Sequence, residues 1–121
     1  MKQRNALVSN SSSCSFMVYN KSNKPLTVVD FVKENPQLLE LFKQTYDYEK
    51  NPLFNQEKMI ENAEARLDND IYKNYTIKPH GKNCWTFGDE DGDVIGQVYD
   101  YILRDGGKSK NFKWKLESMN R

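Results

Sequence analysis

Phe112, Trp114 and Leu116 alternate with Lys113, Lys115 and Glu117. A period of two sends successive side chains to opposite faces of a pleat, so this stretch predicts a strand half-buried against a core. Residues 85–107 carry a second pattern: a strand, an acidic glycine loop, a helix and a glycine stop. Trp85 and Phe87 fall on one strand face. Val94, Ile95, Val98 and Ile102 recur at helical spacing and should face the core. Asp93, Gln97, Asp100 and Arg104 form the opposite, polar stripe. Asp100 and Arg104, four apart, read as an exposed pair contributing roughly a few tenths of a kcal/mol. Asp91 or Asp93 is placed to cap the helix. Gly106-Gly107 predicts a left-handed ending.

Upstream, Phe16-Met17-Val18-Tyr19 has strand composition without polar alternation. That predicts a strand covered on both faces, interior to the same sheet as Phe112 to Leu116. Asn20 to Pro25 reads as a turn. Thr27 with Asp30 predicts a capping box. The helix it opens is short, because Pro36 bars Asn35 from continuing it. Asn35 and Pro36 then start a second helix, with Leu38, Leu39, Leu41, Phe42, Thr45 and Tyr46 on a broad apolar face. Asn51-Pro52 breaks the pattern. Asn55 starts a third helix, with Met59, Ile60, Ala63, Leu67 and Ile71 on one stripe. Tyr75 to Ile77 and Cys84 to Phe87, joined by the loop Lys78 to Asn83, predict an antiparallel pair. These elements compose a single α+β domain over 1–121, a mixed or antiparallel sheet of about four strands with about four helices mainly on one face. The polar, basic residues 1–10 read as an arm.

Composition narrows the function classes. The chain has 121 residues, enough for one core. A net charge of +1 supplies no global field toward nucleic acid or an acidic partner. No apolar run reaches membrane-spanning length, and the start lacks an apolar signal region, which predicts a cytoplasmic protein. There, Cys14 and Cys84 read as free thiols.

Candidate chemistry is sparse. Gly88, Gly92 and Gly96 between strand and helix suggest a phosphate cradle, but the spacing is not GxGxxG, and Asp89, Glu90 and Asp91 would repel a phosphate. As an EF-hand loop, the required glycine would fall on Val94 and the final glutamate on Asp100. A solvated turn and helix cap is the favoured reading. A small metal-dependent enzyme or phosphate-ligand binder using Asp89, Glu90, Asp91 and Asp93 is the alternative. Cys14 with His80 has the ingredients of a thiol–imidazole pair but no local motif. His80 and Cys84 have ligand-like spacing, yet two ligands do not make a zinc site. No cofactor or metal is implied. Lys108, Lys110, Lys113, Lys115 and Arg121, interleaved with Phe112 and Trp114, resemble a stacking platform for single-stranded nucleic acid, although strict alternation favours aromatics in the core and lysines in solvent. The hydroxyls of Ser11, Ser12, Ser13 and Ser15 suit either an anion or backbone groups at the sheet entrance; the second is favoured. Tyrosines at 46, 48, 72, 75, 99 and 101 are many for this size, and exposed ones favour protein interfaces. The candidate binding residues are Ser11, Ser12, Ser13, Cys14, Asp89, Glu90, Asp91, Asp93, Tyr99 and Arg104.

The run Arg4-Asn5-Ala6-Leu7-Val8-Ser9-Asn10-Ser11-Ser12-Ser13-Cys14-Ser15-Phe16 resembles an N-terminal signature of small uncharacterised proteins of tailed bacteriophages and some bacteria: Arg-Asn-x-Phe-Val-Ser/Thr-Asn, a serine run, then phenylalanine and a short strand. This chain departs from it at Leu7, where phenylalanine is usual, and at Cys14, inside the serine run. The ending Tyr99 to Gly107, followed by a Phe-x-Trp strand, is similar to some members as well. The resemblance covers about the first 17 residues and implies an origin, not a chemistry. The sequence shows no dense catalytic constellation, which leads to the expectation of a non-enzymatic interaction protein; the resemblance adds the expectation of a phage-encoded host-takeover or counter-defence factor with a host protein as partner in the bacterial cytoplasm. Nucleic-acid binding through the C-terminal lysine/aromatic strand is a further alternative.

Overall fold

A computed structural model of the chain describes residues 13–71 and 73–120. The elements in order are β1 (Ser13–Asn20), β2 (Leu26–Thr27), α1 (Val28–Glu34), α2 (Pro36–Tyr46), α3 (Gln56–Asp68), β3 (Thr76–Ile77), β4 (Lys82–Gly88), a single 3-10 turn (Asp89–Asp91), α4 (Val94–Ile102), β5 (Gly107–Lys108) and β6 (Phe112–Asn120). The main sheet has the order β4-β1-β6-β5, and each pair is antiparallel. β2 and β3 form a separate two-stranded ribbon. The expected α+β domain is what forms, with one sheet covered by helices on one side. The arm expected over 1–10, and Ser11 and Ser12, lie outside the described residues.

β1 is interior, as expected, but among the described residues only one of its faces is covered. Cys14, Phe16, Val18 and Asn20 are buried, whereas Ser13, Ser15, Met17 and Tyr19 are half-buried on the uncovered face. The unbroken apolar run misled because an apolar residue such as Met17 is ordinary on a half-wetted surface and Tyr19 carries a polar hydroxyl. A bulge at Glu117 shifts the β1–β6 register, which passes from Phe16–Leu116 to Ser15–Ser118. Phe112 and Trp114 enter the core, as their alternation predicts.

The expected pairing of Tyr75–Ile77 with Cys84–Phe87 does not form. β3 pairs with β2, in the register Leu26–Ile77, and β4 pairs with β1. Asn20 organises this crossover. Its Nδ2 donates to the carbonyls of Lys24, Ile77 and Lys78, and its Oδ1 accepts from Ser22. A buried amide with that many partners fixes where the chain turns.

The helix signals hold where they are local. Thr27 and Asp30 form the capping box, Asn55 caps α3 through Lys58 N–H, and Pro36 opens α2, although the Asn35 amide turns back to donate to the Phe31 carbonyl instead of capping. The apolar faces are narrower than expected. Leu38, Leu39 and Phe42 are buried, but Leu41 and Tyr46 are exposed. Ile71 is 83% exposed because α3 ends at Asp68, one turn short of it. Asp100 is another correction: it is fully buried, and its pair with Arg104 is not a surface pair. Tyr99 on α4 and Leu103, which ends it, take core positions, and the left-handed residue that follows is Gly106, whose N–H donates to the Leu103 carbonyl.

Candidate functional site

The acidic turn, β4 and α4 meet on one side chain from α3. Arg66 donates from Nε and Nη2 to the two carboxylate oxygens of Asp93 at 3.2 and 3.1 Å, and from Nη2 to Asp91. Its Nη1 donates to the Tyr75 hydroxyl at 2.7 Å and to the Thr86 carbonyl at 3.1 Å. The guanidinium also lies 4.8 Å from the centre of the Phe87 ring. Burial alone would lower the Arg66 guanidinium, but the hydrogen bonds to Asp93 and Asp91 outweigh it and raise it above its ordinary value. Arg66 sits on the charged side of α3, where a sequence pattern gives no reason to single it out.

The same carboxylates serve the backbone. Asp93 Oδ1 accepts from Gly96 N–H at 2.9 Å and caps α4, as expected. Asp91 Oδ2 accepts from Gly88 N–H at 2.9 Å. Asn62, from α3, accepts from Val94 and Ile95 N–H. A Cβ on Gly96 would lie 2.7 Å from Asp91 Oδ2, Asp93 Oδ1 and the Gly88 carbonyl. Gly96 is therefore there for close packing of helix on turn, not to admit a phosphate. Among the described residues, no three of His, Cys, Asp and Glu are grouped to hold a metal ion. Titration of the protein with calcium, magnesium or manganese is expected to show no site tighter than about millimolar, because an internal cation already occupies the carboxylates. A stoichiometric micromolar site would reverse that expectation and promote the metal-dependent reading.

Cys14 and Arg104, far apart in sequence, come together around Asp100. Arg104 donates to the Asp100 carbonyl at 2.7 Å and to its carboxylate at 3.3 Å. Burial pushes the Cys14 thiol up, and its hydrogen bond to Asp100 pushes the same way. A thiol held protonated inside the core is a poor nucleophile. His80 is at the opposite end of the sheet: Cys14 pairs with Phe87, whereas His80 precedes the Lys82–Tyr19 pair and bonds Asn23 at 2.7 Å. The thiol–imidazole pair does not assemble. Cys84 is exposed on the uncovered face. Tyr99 is fully buried, its hydroxyl has no hydrogen-bond partner among the described residues, and burial raises its pKa far above the usual range. It is a core residue and cannot meet a partner as an exposed tyrosine would.

The uncovered sheet face is ordered in rows. Lys82, Tyr19, Lys113 and Lys108 stand side by side across β4, β1, β6 and β5. The next row is Cys84, Met17 and Lys115, and the third is Thr86, Ser15 and Ser118. Ser15 and Thr86 share a hydrogen bond of 3.0 Å. Lys82 Nζ and Lys113 Nζ flank the Tyr19 ring at 5.8 and 5.9 Å from its centre. Among the described residues no ion pair engages Lys82, Lys108, Lys113 or Lys115. Ser13 lies at the far end of this face, and the tyrosine that matters here, Tyr19, had no pattern to mark it. No helix of the described residues is long and apolar enough to cross a membrane. No protein-family model, curated protein or solved structure matches the chain.

Proposed function

We propose that the protein is a non-enzymatic protein-interaction module that docks an acidic surface of its partner on the uncovered face of the main sheet. The observation that carries this reading is the row Lys82–Tyr19–Lys113–Lys108. Like charges directly opposite each other on neighbouring strands, as at Lys113 and Lys108, are unfavourable, and among the described residues no ion pair engages them. An acidic partner would relieve that repulsion and place its apolar groups on Tyr19 and Met17. The near-neutral net charge hides this patch, because acids elsewhere in the chain, α3 and the 89–93 turn among them, offset its lysines in the sum. The resemblance of residues 4–16 to tailed-bacteriophage proteins supports a host protein as the partner and a host-takeover or counter-defence role in the bacterial cytoplasm.

Single-stranded nucleic acid on the same face is the second reading, favoured by Tyr19 standing between two lysines. It is the weaker, since stacking platforms use several rings for successive bases and Phe112 and Trp114 are in the core. Affinity capture from bacterial lysate separates the two, run with and without nuclease and with a Lys82→Glu, Lys113→Glu variant beside the wild type. A defined protein that survives nuclease and is lost with the charge reversal supports docking of an acidic protein. Nuclease-sensitive capture supports the second reading, and capture indifferent to the charge reversal sinks both.

A further inference from the structure

Beside the outer edge of β4, the turn before β3, the β3–β4 loop and the chain ahead of β2 border a cleft of about 340 Å³ lined by Pro25, Lys73, Thr76, Lys78, Lys82 and Asn83. That is the size range of small-ligand pockets. Three of the six lining residues are lysines and none is acidic. Among the described residues no ion pair engages Lys73, Lys78 or Lys82. Asp70, on the same turn as Lys73, is outside the lining, and its Oδ2 accepts from Tyr75 N–H at 2.6 Å.

The loops that carry these lysines are fixed. The buried Asn20 amide donates to the carbonyl of Lys24, next to Pro25, at 2.8 Å and to that of Lys78 at 3.2 Å. Gly81 N–H donates to the same Lys78 carbonyl at 2.9 Å. The Lys78 side chain lies over Gly81, where a Cβ would meet its Cγ at 2.8 Å. Asn20 N–H donates to the Gly81 carbonyl, so Gly81 faces β1 and the backbone N–H of Lys82 points outward from the edge. Among the described residues, two of the three non-glycine residues with positive φ stand in these loops: Lys73 at 60° and His80 at 57°. A lysine in the left-handed region is strained where an asparagine is at ease. Lys73 is exposed, so core packing does not hold it there.

We propose that this cleft seats the phosphomonoester group of a phosphorylated serine or threonine on the protein that docks on the uncovered sheet face. Lys82 joins the two surfaces: it lines the cleft, and its Nζ lies 5.8 Å from the centre of the Tyr19 ring in the lysine row. For its partner the inference therefore rests on the sheet-face reading. A phosphomonoester carries about two negative charges and three strong acceptor oxygens at neutral pH. Each lysine brings a compact charge with three donors on a flexible stem. A carboxylate carries half that charge and is best matched by the planar fork of arginine, which the lining lacks. A phosphodiester within a nucleic-acid strand also carries a single charge.

The test is an NMR titration of the full chain with Nα-acetyl-phosphoserine methylamide, beside its glutamate analogue, its O-methyl phosphodiester and inorganic phosphate. The phosphoserine probe is expected to shift the Lys73, Thr76, Lys82 and Asn83 amide resonances saturably. It should bind about tenfold more tightly than the glutamate or diester probe, the effect of one added charge-assisted hydrogen bond. Lys73→Asn and Lys78→Ala should each weaken it about threefold or more. Asparagine suits the left-handed backbone at 73, so the thermal midpoint of Lys73→Asn should hold or rise while binding falls, a split that a structural role for the lysine would not give. Equal binding of the glutamate or diester probe, shifts at Lys108 and Lys113 as large as those in the cleft, or undiminished binding by Lys73→Asn would overturn the site. Inorganic phosphate binding as tightly as phosphoserine would overturn its protein-borne source. The sheet-face reading is judged separately, by lysate capture with Lys113→Glu, a residue outside the cleft. Capture that depends on Lys113 without phosphoserine binding sinks the cleft alone. Phosphoserine binding with capture indifferent to Lys113 sinks the docked partner and leaves the site.

Discussion

Phe31→Ala is expected to destabilise the protein by about 3–5 kcal/mol, the usual effect of removing a large buried ring. Phe31 is fully buried on α1 and is met by four other rings edge to face. Trp85 lies at 5.5 Å and 88°, Tyr99 at 5.4 Å and 90°, Phe112 at 5.1 Å and 79°, and Trp114 at 5.2 Å and 80°. One ring thereby ties α1 to β4, α4 and β6, and each such contact adds about 0.5–1.5 kcal/mol beyond burial. A domain of this size has a total stability of about 5–15 kcal/mol, so the variant should be marginal or unfolded near physiological temperature. Phe31→Leu keeps most of the volume and should lose about half as much. Lys113→Ala, on the uncovered face, should stay within about 0.5 kcal/mol of wild type. Urea unfolding of the three variants gives the comparison. A Phe31→Ala value within about 1 kcal/mol of wild type would mean the ring cluster is not the keystone of the core.

Local signals were legible because their physics is local. The Thr27–Asp30 box, the Asn55 cap, Pro36 at the start of α2 and the Asp93 cap need only residues three or four apart, and each forms. The alternation of β6 was legible because one covered face imposes it. Strand pairing was not, since β1 meets β4 across more than sixty intervening residues and nothing in a short run names its distant neighbour. The Tyr75–Cys84 hairpin was the natural expectation, and it loses because Asn20 holds Ile77 and Lys78 at the end of β1 while Leu26 takes Ile77 as its partner. Phe31 escaped notice for a related reason: a helix of two turns carries too few positions to display a period.

The site was legible only in part. The 89–93 turn stood out by composition, and its expected roles as turn and cap are those it performs. Asp100 was misassigned because the polar stripe of α4 looks uniform in one dimension, while in space it turns inward toward Cys14. The tyrosines divide in a way no count of them foretells: Tyr99 is core, Tyr75 bonds Arg66, Tyr19 stands on the open face, and Tyr46, Tyr48 and Tyr101 wall a cavity.

Arg66→Ala is the second large expected effect, about 3–5 kcal/mol, the usual result of removing one partner from a largely buried charge network. The side chain is 13% exposed. Its loss leaves Asp91 and Asp93 facing each other without a cation, takes a donor from the Tyr75 hydroxyl and the Thr86 carbonyl, and strips the cover from Phe87. Shape and charge can be separated. Arg66→Met retains the covering of Phe87 without the charge, and should be nearly as damaging as alanine if the charge dominates. Arg66→Lys keeps the charge but has no planar fork to bridge Asp93 while reaching Asp91 and Tyr75, and should recover about half the loss. Added salt should narrow the gap between Arg66→Ala and wild type only slightly, since a pair this buried is poorly screened. Chemical denaturation at low and high sodium chloride reads all of these. If Arg66→Met proves as stable as wild type, the guanidinium is a surface ornament on a turn that folds without it. The acidic loop would then have open carboxylates, and the metal-dependent reading would gain what Arg66 now denies it.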